Sequence, residues 1–233
     1  MKVVIFAGGR GTSLGQLTVE KPKPMLFIGN RPIIWHVMKI YASQGYNDFI
    51  VCTGYLGNVI KDFFSDLQED WRVHVVDTGL NALKGARLKL IEEFLDPGTH
   101  MMTYSDGLAD VNVQHLQKFH ESHGKLVTVT GIHPVSRFGE IKHENGKVTS
   151  FKEKPLDPER VVNGGFMVFE TAFLDYLTAN IDCDLEKGVL EQVAADGEMM
   201  VHVHDGSWKC LDTPRDLKEL RREWQKGNPS WKM

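Results

Sequence analysis

Cysteine is scarce in this sequence: Cys52, Cys183 and Cys210 are odd in number and form no CxxC pair. That pattern argues against a disulfide framework or a zinc ribbon, and points to free thiols in a reducing cytoplasm. No apolar run approaches the ~20 residues needed to cross a bilayer. The opening "MKVVIFAGG" is apolar for too few residues to serve as a secretory signal before it meets glycines and an arginine. Charge of one sign is not in excess. A formal net charge of −4 gives no electrostatic reason to expect nucleic acid as a partner. Internal repeats, low-complexity tracts and linker-like stretches are also missing. Two common phosphate-binding motifs fail as well. No GK[ST] closes a Walker loop, and a GxGxxG pattern would need glycine where Leu14 stands.

What is present is an ordinary globular composition, 42% hydrophobic and 25% charged over 233 residues. Short β-rich runs alternate with helical patterns through the first half. "KVVIF", "DFIVCTG", "RVHVVDTG", "HMMTYSDG" and "LVTVTGI" read as strands. "PIIWHVMKIYASQG", "NVIKDFFSDL", "GARLKLIEEFL" and "NVQHLQKFHESHG" read as the helices between them. Repeated βα order predicts an α/β fold, a Rossmann-like, mostly parallel sheet flanked by helices. After about Arg137 the rhythm changes. "FGEIKHENGKVTSFKEKP" predicts a hairpin about Asn145-Gly146. "VVNGGFMVFE" reads as a further strand, followed by helices near 172–179 and 186–196, a strand near 199–204 and a helix near 213–226. One domain over 1–233 is expected, with a nucleotide-binding part at about 1–136. A small β-rich acceptor-binding part with the C-terminal helix fills about 137–233. Met101-Met102 and Met199-Met200 read as core filling. His115, His120 and His123 share no narrow helical face, so no zinc site is expected.

The stretch with most chemistry is "FAGGRGTSLGQLTVEKPKPML", Phe6 to Leu26, with four glycines behind an apolar strand. In a parallel sheet, ligands bind beyond the carboxyl ends of the strands. Glycines there let backbone N–H groups approach an anion, and a concave run of N–H groups cradles phosphate. A plain tight turn is the simpler alternative. Pro22 and Pro24 stiffen the next segment. In an extended form it would turn Lys21 and Lys23 to one side, suited to a triphosphate.

These residues resemble the sugar-phosphate nucleotidyltransferases, whose first strand carries GxGTRL followed by a PKP element. Here the pattern stands as Gly9-Arg10-Gly11-Thr12-Ser13-Leu14 and Lys21-Pro22-Lys23-Pro24. "EKPKPMLFIGNRPIIWHVMKIY", "VDTG", "GARLK", "YSDGLAD", "RFGEI", "FKEKP", "NGGFMVF" and "LDTPRDL" follow in the order of the cytidylyltransferase branch. The fold this implies is nucleotide-diphospho-sugar transferase-like. The activity it implies is Mg²⁺-dependent transfer of CMP from CTP to a phosphorylated acceptor, releasing pyrophosphate, for surface polysaccharide synthesis. The acceptor stays open between a sugar 1-phosphate and a non-sugar phosphate such as a phosphorylated amino-acid derivative. A non-catalytic nucleotide-binding subunit is the remaining alternative. Three departures stand out. Ser13 replaces the signature arginine, Ser105-Asp106-Gly107 replaces GDG, and the segment between Asp62 and Val75 is short. Glucose-specific members carry an insertion there that the resemblance links to subunit contacts; a homo-oligomer stays open for this chain.

The resemblance implies nucleotide contacts at Ala7, Gly8, Gly9, Gly11, Thr12, Ser13, Lys23, Thr78, Arg87, Tyr104 and Ser105. Lys23, Arg10 and Asp106 are the catalytic candidates, with Arg10 or Arg87 replacing the arginine lost at Ser13. Asp106, at the end of its strand, and Asp212 are the candidate Mg²⁺ ligands. Thr213, Pro214 and Asp216 already account for the start of the last helix, which leaves Asp212 available for metal. Asp110 reads as the cap of the helix beginning near Val111. Arg137, Glu153, Lys154, Asn163 and Gly164 are expected on the acceptor. Neither nucleic acid nor membrane is expected as a partner.

Overall fold

The computed structural model describes residues 1–136, 138–153 and 160–232. Arg137 and Lys154 lie outside the described residues.

In chain order the strands are β1 (Val3–Phe6), β2 (Phe27–Ile28), β3 (Arg31–Pro32), β4 (Asp48–Thr53), β5 (Arg72–Asp77), β6 (Thr99–Tyr104) and β7 (Gly107–Ala109). They continue as β8 (Val127–Ile132), β9 (Glu140–Glu144), β10 (Lys147–Lys152), β11 (Val162–Asn163), β12 (Met167–Glu170), β13 (Met199–His204) and β14 (Trp208–Cys210). The α-helices are α1 (Ile33–Ala42), α2 (Gly57–Ser65), α3 (Lys84–Leu90), α4 (Val113–His123), α5 (Glu191–Ala195) and α6 (Pro214–Gln225).

The central sheet runs β11-β8-β12-β6-β1-β4-β5, with β13 added to β8. β1 pairs parallel with β4 and β6, and β4 with β5. Antiparallel β12 lies between β6 and β8. Strands buried on both faces read as unbroken apolar runs. Val3 and Ile5 of β1 face one core with α1, while Val4 and Phe6 face a second core with Leu88 of α3. Because β8 pairs with β11, β12 and β13, the sheet is continuous across the two halves of the sequence.

Several local expectations hold. Asn145 (φ 48°) and Gly146 (φ 86°) turn the β9–β10 hairpin, as a two-residue loop of this kind requires. The Thr213–Asp216 capping box opens α6. Others need correction. "VVNGGFMVFE" is not one strand, because Gly165 (φ 77°) and Phe166 (φ 46°) break it between β11 and β12. The stretch 186–196 is kinked at Lys187 and Gly188, and only α5 is regular helix. Residues 171–176 form a 3₁₀ rather than an α-helix. Asn112, not Asp110, caps α4 by accepting from the His115 amide, while Asp110 pairs with His204 at 2.9 Å. Met101 and Met102 are core, but Met200 is exposed on the outer strand β13.

Candidate active site

The glycine loop leaves β1 at the carboxyl edge of the sheet, beside the ends of β4 and β6. Its course is fixed from below. The Ala7 amide donates to Cys52 O, and Gly8 O accepts from the Tyr55 amide. Gly11 is left-handed (φ 63°) and so is Gly15 (φ 56°), which a side chain would resist. Among the described residues, none accepts a hydrogen bond from the amides of Gly9, Arg10 or Gly11. Three successive N–H groups are therefore offered outward, as an anion-binding loop needs.

Arg87 holds this loop in place. Its Nη1 donates to Thr53 O at 2.7 Å, Thr78 Oγ1 at 2.7 Å and Gly79 O at 2.9 Å; Nη2 donates to Gly8 O at 3.2 Å. The side chain is buried, and a Cβ on Gly8 would fall 2.2 Å from its Nη1. Arg87 is expected from the sequence to reach the β/γ-phosphates; in this arrangement its Nη1 and Nη2 donate to protein acceptors instead, which favours Arg10 for that role. Thr78 is likewise turned inward, donating to Thr53 O and accepting from Arg87. Arg10 is different. It is exposed beside the loop, with its guanidinium 5.7 Å from the centre of the Tyr55 ring. Thr12 and Ser13 are exposed on the same loop.

Lys21 and Lys23 do not share a side. The chain turns into a single 3₁₀ turn at Lys23–Met25, so the extended spacing fails. Lys21 packs over Phe27, away from the sheet edge. Lys23 runs inward, with Nζ 2.5 Å from Asp106 Oδ2 and 3.2 Å from Asp212 Oδ1. Burial works against this ammonium charge. The two carboxylates, Asp106 foremost, outweigh it and hold the lysine pKa above the usual range.

Asp106 and Asp212 are distant in sequence and are brought together by the β7–β14 ladder. Gly107 pairs with Cys210, and the Leu211 amide donates to Asp106 O at 3.0 Å. The Asp212 amide donates to Asp216 Oδ2, which ties the second carboxylate to the start of α6. Ligand atoms of Asp106, Cys210 and Asp212 all lie within 4.8 Å of one another. Cys210 was not anticipated, although it stands only two residues before Asp212. Burial and the neighbouring carboxylates push its thiol pKa well up, so it stays protonated. Two carboxylates with a neutral thiol fit a hard divalent cation bound through oxygen.

On the far side of the site Ser105 is buried and Tyr104 half-buried. Tyr104 Oη donates to Glu186 Oε1 at 2.6 Å and accepts from Asn163 Nδ2 at 3.0 Å. Burial first, and Glu186 second, keep this phenol protonated. Glu186 also pairs with Lys84 at 3.1 Å. Sequence reasoning missed both, because each lies in a stretch that reads as ordinary helix surface. The Trp208 indole donates to Gly164 O at 2.7 Å and so fixes the glycine break between β11 and β12. A cleft of about 800 Å³ opens from Cys210 and Asp212 past Trp208, Ile132, Val162 and His133. Glu153 is exposed at the foot of the hairpin.

The sequence profile described as Nucleotidyl transferase matches residues 2–227. The chain is 40% identical to the glucose-1-phosphate cytidylyltransferase of Salmonella typhi, over 100% of this chain and 99% of that protein. The Salmonella typhimurium protein of the same name matches equally, at 40%. These alignments span 255 positions for a chain of 233, so about 22 positions of each relative have no counterpart here. Among solved structures, a UDP-glucose pyrophosphorylase complexed with UDP-glucose superposes with a TM-score of 0.76 at 15% identity, covering 97% of this chain and 99% of that one. HddC from Yersinia pseudotuberculosis does so at 0.74 and 19%, covering 96% and 99%. At such identities the structures speak for the fold alone.

Proposed function

The chain belongs to the Nucleotidyl transferase family, and on that premise we propose that it transfers CMP from CTP to a sugar 1-phosphate. The observation that carries this reading is the 40% identity to cytidylyltransferases across the whole chain. An oxygen of the acceptor's phosphate attacks the α-phosphorus of CTP. The bond from that phosphorus to the bridging oxygen breaks, and pyrophosphate leaves with the bonding pair. The acceptor phosphate is already an anion at neutral pH, so no general base is required. The task is to hold two anions in line and stabilise charge on the transferring group.

The offered amides of Gly9, Arg10 and Gly11 bind the triphosphate, with the Arg10 guanidinium taking the place of the arginine missing at Ser13. Asp106 and Asp212 would hold Mg²⁺, which, when bound, neutralises phosphate charge and favours an in-line geometry. The acceptor enters from the side of Asn163, Gly164 and the Trp208 cleft; Glu153 is a further candidate, as are Arg137 and Lys154 on the ground of the sequence alone. Residues before about 137 thus serve mainly the nucleotide and those after it mainly the acceptor, with Asp212 joining the metal site from the second part. The reaction belongs to the cytoplasm, where CTP is made, and its CDP-activated product suits surface polysaccharide synthesis. No helix of the described residues is long and apolar enough to cross a membrane.

The test is pyrophosphate release with each of four nucleoside triphosphates crossed against a panel of sugar 1-phosphates and non-sugar phosphates. CTP with one sugar 1-phosphate should give the highest kcat/KM. Equal efficiency with UTP or dTTP would defeat the cytidylyl reading, and turnover confined to a non-sugar phosphate would move the acceptor class.

A further inference from the structure

We propose that Lys23 is a cation gate. Its ammonium takes the place between Asp106 and Asp212 that a divalent metal requires, so metal enters only as the triphosphate draws the lysine away. This inference rests on the metal reading above.

The geometry sets up a competition. The Asp106, Cys210 and Asp212 ligand atoms fall within 4.8 Å of one another, a space for one cation. Lys23 Nζ stands there, in contact with both carboxylates. A second cation in the same space would meet a like charge at contact distance, beside the mostly buried Lys23 and Asp106 and the partly exposed Asp212. One of the two must leave.

The backbone that carries each carboxylate is tied down, and each carboxylate sits on a short side chain, whereas the lysine acts through a long one. Asp106 is held by the β7–β14 ladder and Asp212 by Asp216. Lys23 is reached through a four-carbon stem with rotatable bonds. The stem also lies against the glycine loop, since a Cβ on Gly11 would fall 2.9 Å from the Lys23 Cβ. Rotation of the side chain therefore exchanges one anionic partner for another, from the carboxylates to phosphates held on the loop amides. One ammonium cannot serve both at once. Each phosphate contact that Lys23 gains takes its charge away from the two carboxylates. By linkage, metal and nucleotide then strengthen each other's binding by the same factor. The gate also disfavours a metal ion resting at the carboxylates without its nucleotide.

The experiment measures Mn²⁺ binding without nucleotide, by the loss of the free-ion electron paramagnetic resonance signal. Parent, Lys23→Met, Lys23→Gln, Lys23→Arg and Asp106→Asn proteins are compared. Lys23→Met and Lys23→Gln should each bind Mn²⁺ at least about tenfold more tightly than the parent, because a like charge at contact costs more than the ~1.4 kcal/mol a tenfold change represents. Lys23→Arg, which keeps the charge, should bind as weakly as the parent. If both neutral variants match the parent while Asp106→Asn abolishes binding, the gate is wrong and the metal site stands. If Mn²⁺ binding survives Asp106→Asn unchanged, the metal reading fails and the gate with it.

Discussion

Replacing Arg87 by methionine separates a phosphate ligand from a loop support. The variant keeps much of the side-chain length and removes every donor. Four acceptors lose a charged partner: Thr53 O, Thr78 Oγ1, Gly79 O and Gly8 O. Hydrogen bonds to charged groups contribute ~1.5–3 kcal/mol each, and an orphaned buried acceptor costs a further ~1–3 kcal/mol. These terms are not additive. The parent also pays to bury the guanidinium, which burial pushes toward a lower pKa. Thr53 O keeps the Thr78 donors and Gly8 O keeps the Tyr55 amide, so the loss falls mainly on Thr78 Oγ1 and Gly79 O, and a net loss of about 3–5 kcal/mol is expected. For a chain of this size each kcal/mol moves Tm by about 2–4 °C, so Arg87→Met should melt roughly 6–20 °C lower. Arg10→Ala should behave oppositely. Its side chain is exposed, so stability should change by less than about 0.5 kcal/mol. Losing its phosphate contact should cost about 2–4 kcal/mol in the transition state, or roughly 30- to 1,000-fold in kcat/KM. Adding Ser13→Arg to Arg10→Ala should recover part of that loss. Thermal unfolding by circular dichroism and pyrophosphate release give both readouts. The reasoning is refuted if Arg87→Met melts within about 2 °C of the parent yet loses turnover, or if Arg10→Ala keeps turnover within a few-fold.

Asp106→Asn and Asp212→Asn should each lower kcat by at least about 100-fold, since each removes stabilisation of the transferring group, and Asp106→Asn should also melt lower because it takes the nearer carboxylate from the mostly buried Lys23; full turnover in either would remove that carboxylate from the site. Acid should weaken the fold. Burial holds His36, His100, His123 and His202 below the usual imidazole pKa. Below about pH 6.5 the unfolded chain then binds more protons than the folded one, and stability falls as pH drops. Urea midpoints at pH 7.5 and 5.5 should show this decline, and His36→Gln should lessen it; a parent midpoint that is flat or higher at pH 5.5 would contradict it.

Much of this was legible in the sequence, because the informative signals were local. "KVVIF" announces a strand buried on both faces, Asn145-Gly146 a tight hairpin, and Thr213-Pro214-Arg215-Asp216 a capped helix start. The glycine loop and Asp106 follow from their position at strand ends. What stayed hidden depends on contacts far along the chain. An arginine on a helix reads as surface, and nothing near Arg87 reveals that Gly8, Thr53 and Gly79 close around it. Glu186 looks like part of a regular helix until the kink at Lys187 and Gly188 turns it toward Tyr104. The strand through Asn163 was misjudged because Phe166, an apolar residue suited to a strand, adopts a left-handed backbone.

The short β7–β14 ladder has a bearing on how the site comes into being. Lys23 and Asp212 meet across 189 positions of sequence, and Gly107 pairs with Cys210 across about 100. Contacts so remote close slowly, because chain entropy must be surrendered before they stabilise anything. The parallel strands from β1 to β6 can assemble from neighbouring βα units while the ribosome is still extending the chain. The acidic pair cannot, because half of it has not yet been made. Folding intermediates should therefore possess the sheet and the glycine loop but not the assembled Lys23–Asp106–Asp212 cluster. In refolding from urea, recovery of turnover should lag the far-ultraviolet circular dichroism signal; simultaneous recovery would mean that the ladder forms with the sheet. A chain built this way becomes reactive only after nearly all of it is present and folded.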